Sequence, residues 1–320
     1  MPVWRAVKTV GLARRSFHVI CMYRSIACAA LTWGTLGTGA PGGLGVRPHA
    51  QVLVPAMKFD VQGAKGELVS PIFDGWYASG GATYALFGYF NRNLEEVVDV
   101  PIGPHNKMEP GPIDQGQPTR FFPGQQVGVF AVVVPTDASK AAVTWTVTAN
   151  GQTYSIPVSL DPLYLIQPQR DEAGTYPGNT PPTIKFDPTG PSAQGPAGLT
   201  VSRSASVSRP LPLDVWVADD GLPPVPGSKG PAPALRGTPG GRGRRQGLTV
   251  SWTVFRGAGE VKFGNPTPPV EGGRALTTAT FSTPGEYMLR FLAWDSQTGN
   301  KCCWTNGFVK VTAQGARPAR

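Results

Sequence analysis

The chain of 320 residues contains few histidines, few cysteines and few charged side chains, and these shortages limit its chemistry. It has three histidines and four cysteines, and 15% of its residues are charged. His18 and His49 fall in the N-terminal 50 residues, which excludes a zinc site built on several histidines and leaves only His105 for a catalytic triad. The sequence has no P-loop, no nucleophile elbow and no Gly-x-Gly-x-x-Gly motif that precedes a predicted helix. We therefore expect no catalytic residues and no enzyme, with a hydrolase using His105 and nearby acids as a distant alternative.

The sequence also lacks an uninterrupted apolar run long enough to span a bilayer. Val19–Leu36 is mostly apolar, but Arg24 interrupts it. A basic start, the apolar Ser25–Leu36 and a small-residue exit ending at Ala50 have the layout of a secretory signal peptide. Arg14-Arg15-Ser16-Phe17 also resembles a twin-arginine export motif. We expect export to the periplasm or the medium, without a stable membrane span after cleavage. A single-pass anchor and a basic tail are the alternatives.

A nucleic-acid partner is not expected, although the net charge is +9. Six basic residues and no acid lie in residues 1–50, and five basic residues and no acid lie in residues 223–247. The remaining residues carry a net charge of −2. A surface that binds nucleic acid should instead be a basic face on the folded body.

Glycine and proline are abundant, with 41 and 34 residues. Helix interiors exclude both residue types and turns favour them, so many short strands are predicted. The most regular stretch is Pro284–Asp295, where a Pro-Gly turn precedes a strand with Tyr287, Leu289, Phe291 and Ala293 on one face. The predicted fold class is all-β, with two antiparallel, immunoglobulin-like β-sandwich domains in tandem.

The domain boundaries follow from shifts in composition. Residues 167–178 are polar and rich in turn-forming types, which is typical of a linker. An insertion rich in proline, glycine and arginine interrupts the second domain, and we expect it to be disordered because it has little apolar surface to bury. The predicted segments are an export segment at 1–50, a first sandwich at 51–168, a linker at 169–182, a second sandwich at 183–313 with the insertion at 223–247, and a disordered tail at 314–320.

Three stretches define the predicted first domain. Alternating apolar residues on either side of Asn150-Gly151 predict a β-hairpin with a type I′ turn. Val127–Val134 would be apolar on both faces of a strand, which predicts a central strand. Pro101–Pro123 is a long polar connection, and such a connection is usually functional or mobile.

Candidate ligand-binding residues lie near that connection. Trp76, Tyr77 and Tyr84 precede it, and His105 lies within it. Aromatic rings beside polar loops can stack on a sugar ring, which would suit a cell-surface polysaccharide. Packing of the same rings into the sandwich core is the favoured interpretation.

The second domain carries motifs that support a resemblance. Asn179-Thr180-Pro181-Pro182 opens it, Asp219-Asp220-Gly221-Leu222-Pro223-Pro224 ends a strand, and Pro-Gly-Glu-Tyr leads to a closing Ala-Trp-Asp. Over Asn179–Ala313 the chain resembles an immunoglobulin-like repeat of the PKD type, with Tyr287 placed as a tyrosine corner. The resemblance implies a spacer, adhesion or carbohydrate-proximal module outside the cell. The insertion at 223–247 departs from it.

The first domain resembles a different family. Its Phe-Asp-Gly-Trp-Tyr, Gly-Tyr-Phe-Asn-Arg-Asn and Asn-Gly-Gln-Thr-Tyr-Ser-Ile-Pro stretches are similar to those of uncharacterised exported bacterial proteins. This resemblance covers Pro71–Asp161 and implies no activity.

Three aspartates are candidate ligands for calcium. Asp219 and Asp220 follow one predicted strand, and Asp295 ends another. Loops between sandwich strands supply the hard oxygen ligands that calcium prefers. No EF-hand loop is present, so solvated turn residues are the favoured interpretation. No other cofactor is predicted.

Cys302 and Cys303 would be the only cysteines after cleavage of the export segment. Free thiols, an intermolecular bond and a bond between the two neighbours are all open. Two reduced thiols are slightly favoured, because buried cysteine packs as a small hydrophobe. A vicinal disulfide is retained as the alternative.

Together these observations predict an exported, non-enzymatic protein of two sandwiches that acts as a binding, adhesion or spacer module. Its expected partners are a cell-surface polysaccharide or another extracellular protein. The alternative function is carbohydrate binding through the aromatic residues of the first domain.

Overall fold

The computed structural model describes residues 62–135, 143–172, 176–222, 247–295 and 302–315, which belong to one compact unit of residues 59–320. The predicted export segment lies outside the described residues, as do nearly all of the insertion at 223–247 and most of the tail at 314–320. Within the described ranges the only helical segment is a 3-10 turn at Pro162–Tyr164. No segment described here has the length and hydropathy of a transmembrane helix.

The first set of strands forms what we call the first sandwich. Its strands are β1 (Val69–Ser79), β2 (Ala82–Asn91), β3 (Val98–Asp99), β4 (Asn106–Glu109), β5 (Arg120–Phe121), β6 (Gly124–Val133), β7 (Thr144–Ala149) and β8 (Gln152–Pro157). One sheet has the order β1-β2-β6, a second has the order β4-β7-β8, and β3 pairs with β5. All of these pairs are antiparallel.

Aromatic rings fill the core between these sheets. The rings of Phe87 and Phe130 stack at 5.3 Å between centroids, and Trp145 meets Phe130 edge-on at 5.1 Å. The indole nitrogen of the buried Trp145 donates a hydrogen bond of 3.0 Å to Oδ1 of Asn106. The ring contacts hold β7 against β2 and β6 through apolar burial. The hydrogen bond to Asn106 satisfies the buried indole nitrogen of Trp145 and links β7 to β4.

The second set of strands forms the second sandwich. Its strands are β9 (Thr183–Lys185), β10 (Ser192–Ala193), β11 (Leu199–Ser206), β12 (Leu211–Ala218), β13 (Thr249–Gly257), β14 (Val261–Phe263), β15 (Val270–Glu271), β16 (Arg274–Phe281), β17 (Gly285–Trp294) and β18 (Trp304–Gln314). One sheet has the order β10-β9-β12-β16-β14, with β15 also on β16. The other has the order β11-β18-β17-β13, in which only β11 and β18 are parallel.

This arrangement is an immunoglobulin-like sandwich. The chain enters one sheet through β9 and β10 and then crosses to the edge of the other sheet as β11, which pairs in parallel with the last strand, β18. The buried Tyr287 on β17 donates a hydrogen bond of 2.8 Å to the carbonyl of Thr283. That contact is the tyrosine corner predicted from the sequence. The predicted all-β fold class is confirmed.

The two sandwiches are packed directly against each other. Phe255 of β13 and Phe308 of β18 belong to the hydrophobic core of the first sandwich. The amide of Thr119 donates a hydrogen bond of 3.1 Å to the carbonyl of Phe255. The guanidinium of Arg256 holds both carboxylate oxygens of Asp114, at 2.7 and 2.8 Å. The connection Pro101–Pro123, which carries Asp114, is therefore part of this contact.

Two local expectations can be compared with these strands. The type I′ hairpin is confirmed, since Asn150 and Gly151 both have positive φ, of 49° and 76°. The expected central position of Val127–Val134 is wrong, because β6 is the edge strand of its sheet. Val127 and Val133 project outward and are 44% and 58% exposed. The predicted boundary at 169–182 falls between the last element of the first sandwich and β9, and it stays a prediction.

Candidate metal centre

The three candidate aspartates meet at one end of the second sandwich. Asp219 and Asp220 directly follow β12, and Asp295 directly follows β17 in the opposite sheet. One carboxylate oxygen from each lies within 4.8 Å of the others. The two strands therefore end close together, and the backbone amides of Gly221 and Leu222 donate to the carboxylates of Asp219 and Asp220 at 3.1 and 2.9 Å.

Residues of the incoming linker complete the cluster. The backbone amide and the hydroxyl of Thr180 both donate to Oδ2 of Asp220 at 2.8 Å. The side-chain amide of Asn179 donates to Oδ1 of Asp295 at 3.3 Å. The segment that joins the two sandwiches is thus held at the acidic cluster by side chains as well as by backbone.

Two oxygen atoms in this cluster are buried without a hydrogen-bond donor among the described residues. They are Oδ2 of Asp295 and Oδ1 of Asn179, whose residues are 2% and 0% exposed. A buried acceptor without a donor is unfavourable by about 1–3 kcal/mol. Both atoms belong to residues that already touch each other, so one added cation or proton could satisfy the site.

The raised pKa of Asp295 also indicates that this cluster needs a cation or a proton. Burial, and after it the nearby carboxyl of Asp219, raise the pKa of Asp295 to about 8. Burial also raises the pKa of Asp219. Two carboxyl groups can hydrogen-bond to each other only when one carries a proton. At neutral pH the pair therefore either shares a proton or requires a cation between the two groups.

The donor set suits calcium. Asp219, Asp220 and Asp295 offer carboxylate oxygens, and Asn179 offers an amide oxygen, all of which are hard ligands. No sulfur or imidazole ligand belongs to this cluster. A bound calcium ion would supply the positive charge that three neighbouring carboxylates lack.

A disulfide lies beside the cluster. Cys302 and Cys303 are bonded to each other. This is the vicinal disulfide that was predicted as the alternative to two reduced thiols. Both residues precede β18, so the alternation of a regular strand does not separate their side chains. The sulfur of Cys302 lies 3.7 Å from the carbonyl of Pro168, and that of Cys303 lies 3.5 Å from the carbonyl of Asn179. The disulfide thus contacts both ends of the linker.

The candidate aromatic residues of the first sandwich are not assembled into one platform. Tyr77 is buried and stacks on Tyr84 with 5.2 Å between ring centroids. Trp76 precedes Tyr77 on β1, so its side chain points to the opposite face of the strand, where its indole nitrogen donates to the carbonyl of Asp161 at 2.9 Å. His105 is exposed in the turn before β4.

Sequence reasoning missed the polar group at the centre of the contact between the sandwiches. The carbonyl of Gly128 accepts hydrogen bonds from the side chains of Arg290 at 3.1 Å, Trp304 at 3.3 Å and Asn306 at 2.9 Å. Its amide donates to Oδ2 of Asp74 at 2.8 Å. The one available signal was an arginine in the middle of the apolar strand β17.

Arg290 keeps its positive charge although it is buried. Removal from water lowers the pKa of Arg290 to about 10. It therefore remains a cation at neutral pH, although it makes no ion pair with a described carboxylate.

Comparisons with known proteins give limited information. No protein-family model matches the sequence, and neither does any curated protein. The PKD resemblance and the resemblance of the first domain therefore stay predictions.

Several solved structures have weak similarity. The D00-D0 domain of intimin is 12% identical, with 77% of this chain and 100% of that chain covered and a TM-score of 0.23. Domains 4 and 5 of the S-layer protein SbsC are 13% identical, with 77% and 98% covered and a TM-score of 0.20. A nucleoside hydrolase-related hypothetical protein from Saccharophagus degradans is 13% identical, with a TM-score of 0.26 over 43% of this chain. This chain spans 26% of the length of that protein. These values assign no role, and the strand order of the second sandwich is what establishes its immunoglobulin-like fold.

Proposed function

We propose that this protein is an exported, non-catalytic binding or spacer module in which a calcium ion fastens the linker to the second sandwich. The observation that carries the proposal is the acidic cluster itself. Asp219, Asp220 and Asp295 converge on Asn179 and Thr180, and two buried oxygens there have no donor among the described residues. A spacer needs a fixed angle between its parts, and a cation at the linker would provide it.

Export and a surface role have separate support. The N-terminal segment has the composition of a signal peptide, and disulfides persist in oxidising compartments outside the cytosol. The direct packing of the two sandwiches suits a structural module, because the buried contacts at Gly128 join strands of both sandwiches.

Thermal unfolding with and without calcium tests the proposal. A ligand at 100 times its Kd stabilises a folded protein by about 2.7 kcal/mol. For about 260 residues this corresponds to a rise in Tm on the order of 5–10 °C. We expect millimolar calcium to produce such a rise over a chelator control, and magnesium to produce a smaller one, because magnesium demands a stricter geometry.

Variants locate the effect. Asp219→Asn should abolish most of the calcium-dependent rise in Tm, since it removes one of the three negative charges of the cluster while keeping the side-chain shape. Asp187→Asn is the matched control, because Asp187 is an exposed aspartate in the same sandwich and outside the cluster. If calcium leaves the Tm of the unaltered protein unchanged, the cation site is refuted.

A further inference from the structure

One face of the second sandwich carries two neighbouring cavities that the functions proposed above do not use. In the antiparallel pair of β13 and β17, Thr249 faces Trp294, Ser251 faces Leu292 and Thr253 faces Arg290. Each strand contributes every second residue, so all six side chains lie on the outer face of the sheet. Four residue steps separate Trp294 from Arg290, which is about 13 Å along the strand.

The end of this face at Trp294 is aromatic and neutral. A cleft of about 480 Å³ lies there, lined chiefly by Trp294, Leu292, Thr249, Ser251, Thr267 and Pro269. None of its lining residues is charged. An indole ring offers a flat apolar surface, and the hydroxyl groups can each donate and accept hydrogen bonds. A sugar ring matches both properties, because it has an apolar C–H face and a rim of hydroxyls.

The other end is cationic. A second cavity of about 260 Å³ lies where this face meets the first sandwich, lined by Arg290, Thr253, Arg120, Tyr89, Gln126 and Phe122, among others. Arg290 is 7% exposed, and its Nε and Nη2 atoms bond to Asn306 and Gly128, both uncharged. Arg120 pairs with the half-exposed Asp99 at 3.5 Å. The cavity therefore has one more positive charge than its described residues compensate, and burying such a charge is costly without an anion.

We propose that the face between Trp294 and Arg290 binds an acidic saccharide, a short oligosaccharide that carries a carboxylate. A sugar ring lies against Trp294, and the carboxylate lies in the cavity beside Arg290 and Arg120. Ser251 and Leu292 line the first cavity and Thr253 and Arg290 line the second, so consecutive pairs of one ladder join the two ends. The proposal names a ligand for the binding module and does not depend on calcium at the acidic cluster.

Calorimetric titration with two matched sugars tests this assignment. An oligomer of galacturonic acid should bind the full chain, and the neutral oligomer of galactose of equal length should bind at least about tenfold more weakly, a difference of about 1.4 kcal/mol. Added salt should weaken binding of the acidic oligomer, because the cavity supplies charge. Equal affinity for the two oligomers, or no binding of the acidic one, would overturn the proposal.

Variants place the ligand on this face. Trp294→Ala and Arg120→Gln should each weaken binding of the acidic oligomer by about tenfold or more. Trp216→Ala is the control, since Trp216 is a half-buried tryptophan on β12 in the other sheet, covered by Arg274 at 4.9 Å. Ser251→Glu adds a repelling charge at a half-buried position and serves if Trp294→Ala does not fold. Undiminished binding by a folded Trp294→Ala or Ser251→Glu variant would refute the site.

Discussion

Gly128 is the residue on which the contact between the two sandwiches most depends. Its φ is +60°, and a Cβ atom there would overlap the indole ring of Trp304. The absence of a side chain therefore lets three donors from the second sandwich reach one carbonyl of the first. Few positions in the described chain combine a left-handed backbone with so close an approach.

Gly128→Ala should lower the free energy of unfolding by about 3 kcal/mol. About 1–2 kcal/mol comes from the left-handed backbone, and the rest comes from overpacking against Trp304. Gly124→Ala is the matched control, because Gly124 has φ +82° but open space around it. Urea denaturation of the two variants measures the difference. Equal losses would mean that the contact with Trp304 adds nothing.

The tyrosine corner offers a second test at this scale. Tyr287→Phe keeps the buried ring against Phe281, which lies 4.8 Å away between centroids, and removes only the hydroxyl. The carbonyl of Thr283 then loses its donor, so the expected loss of stability is about 1–2 kcal/mol. Chemical denaturation of the variant checks this value, and an unchanged midpoint would show that water replaces the hydroxyl at no cost.

Among the elements, the connection Pro101–Pro123 behaves unlike an ordinary loop. It contains β4 and β5 and is held by Gln117, whose carbonyl accepts from Nε of Arg256 at 2.8 Å. The hydrogen bonds from Arg256 hold the pKa of Asp114 below its usual range. The connection is thus fastened to the second sandwich by a charge pair.

This pair makes the stability depend on pH in a defined direction. A carboxyl group with a lowered folded-state pKa stabilises above its unfolded pKa of about 4, and this contribution is lost as the pH falls through the folded value. Asp114→Asn should therefore reduce stability at pH 7 by about 1 kcal/mol or less, since Asp114 is half exposed. The difference from the unaltered protein should therefore be smaller at pH 2.5 than at pH 7.

Urea denaturation at both pH values measures that effect. Glu271→Gln is a suitable control, because Glu271 is exposed on β15 and forms no ion pair with a described residue. A loss of stability in Asp114→Asn that is the same at pH 2.5 and pH 7 would contradict the charge-pair account.

The elements also show what a sequence can and cannot predict here. Local chemistry identified the Asn150-Gly151 hairpin and the strand that holds Tyr287, because turn residues and alternation act within a few positions. The edge position of β6 was missed, since its apolar outer side chains resemble those of a central strand. The bonds that the carbonyl of Gly128 accepts were missed as well, because they join residues more than 160 positions apart.

The candidate site was partly predictable for the same reason. Asp219, Asp220 and Asp295 stand out as acids at strand ends, and the structure brings them together. The oxygen of Asn179 and the hydroxyl of Thr180 were not identified as members, because their position depends on how the linker returns to the sandwich. The cleft at Trp294 depends on the register of β13 and β17, which no local pattern specifies.

At the scale of the whole molecule, three kinds of contact join the two sandwiches in addition to the charge pair of Arg256 and Asp114. Apolar side chains of the second sandwich enter the core of the first, Gly128 collects buried donors, and the linker is held at the acidic cluster and the disulfide. Independent rotation of the sandwiches would break both the apolar contacts and the hydrogen bonds to Gly128. We therefore expect one rigid body and a single cooperative unfolding transition.

The most direct test of this claim is the distance between one spin label on each sandwich, measured by pulsed electron paramagnetic resonance. Tyr154 on β8 and Leu276 on β16 are exposed and suit a label introduced through an unnatural amino acid, which leaves Cys302 and Cys303 untouched. In calcium we expect one narrow distance distribution, and Gly128→Ala should broaden it. A broad or two-peaked distribution for the unaltered protein in calcium would contradict the account.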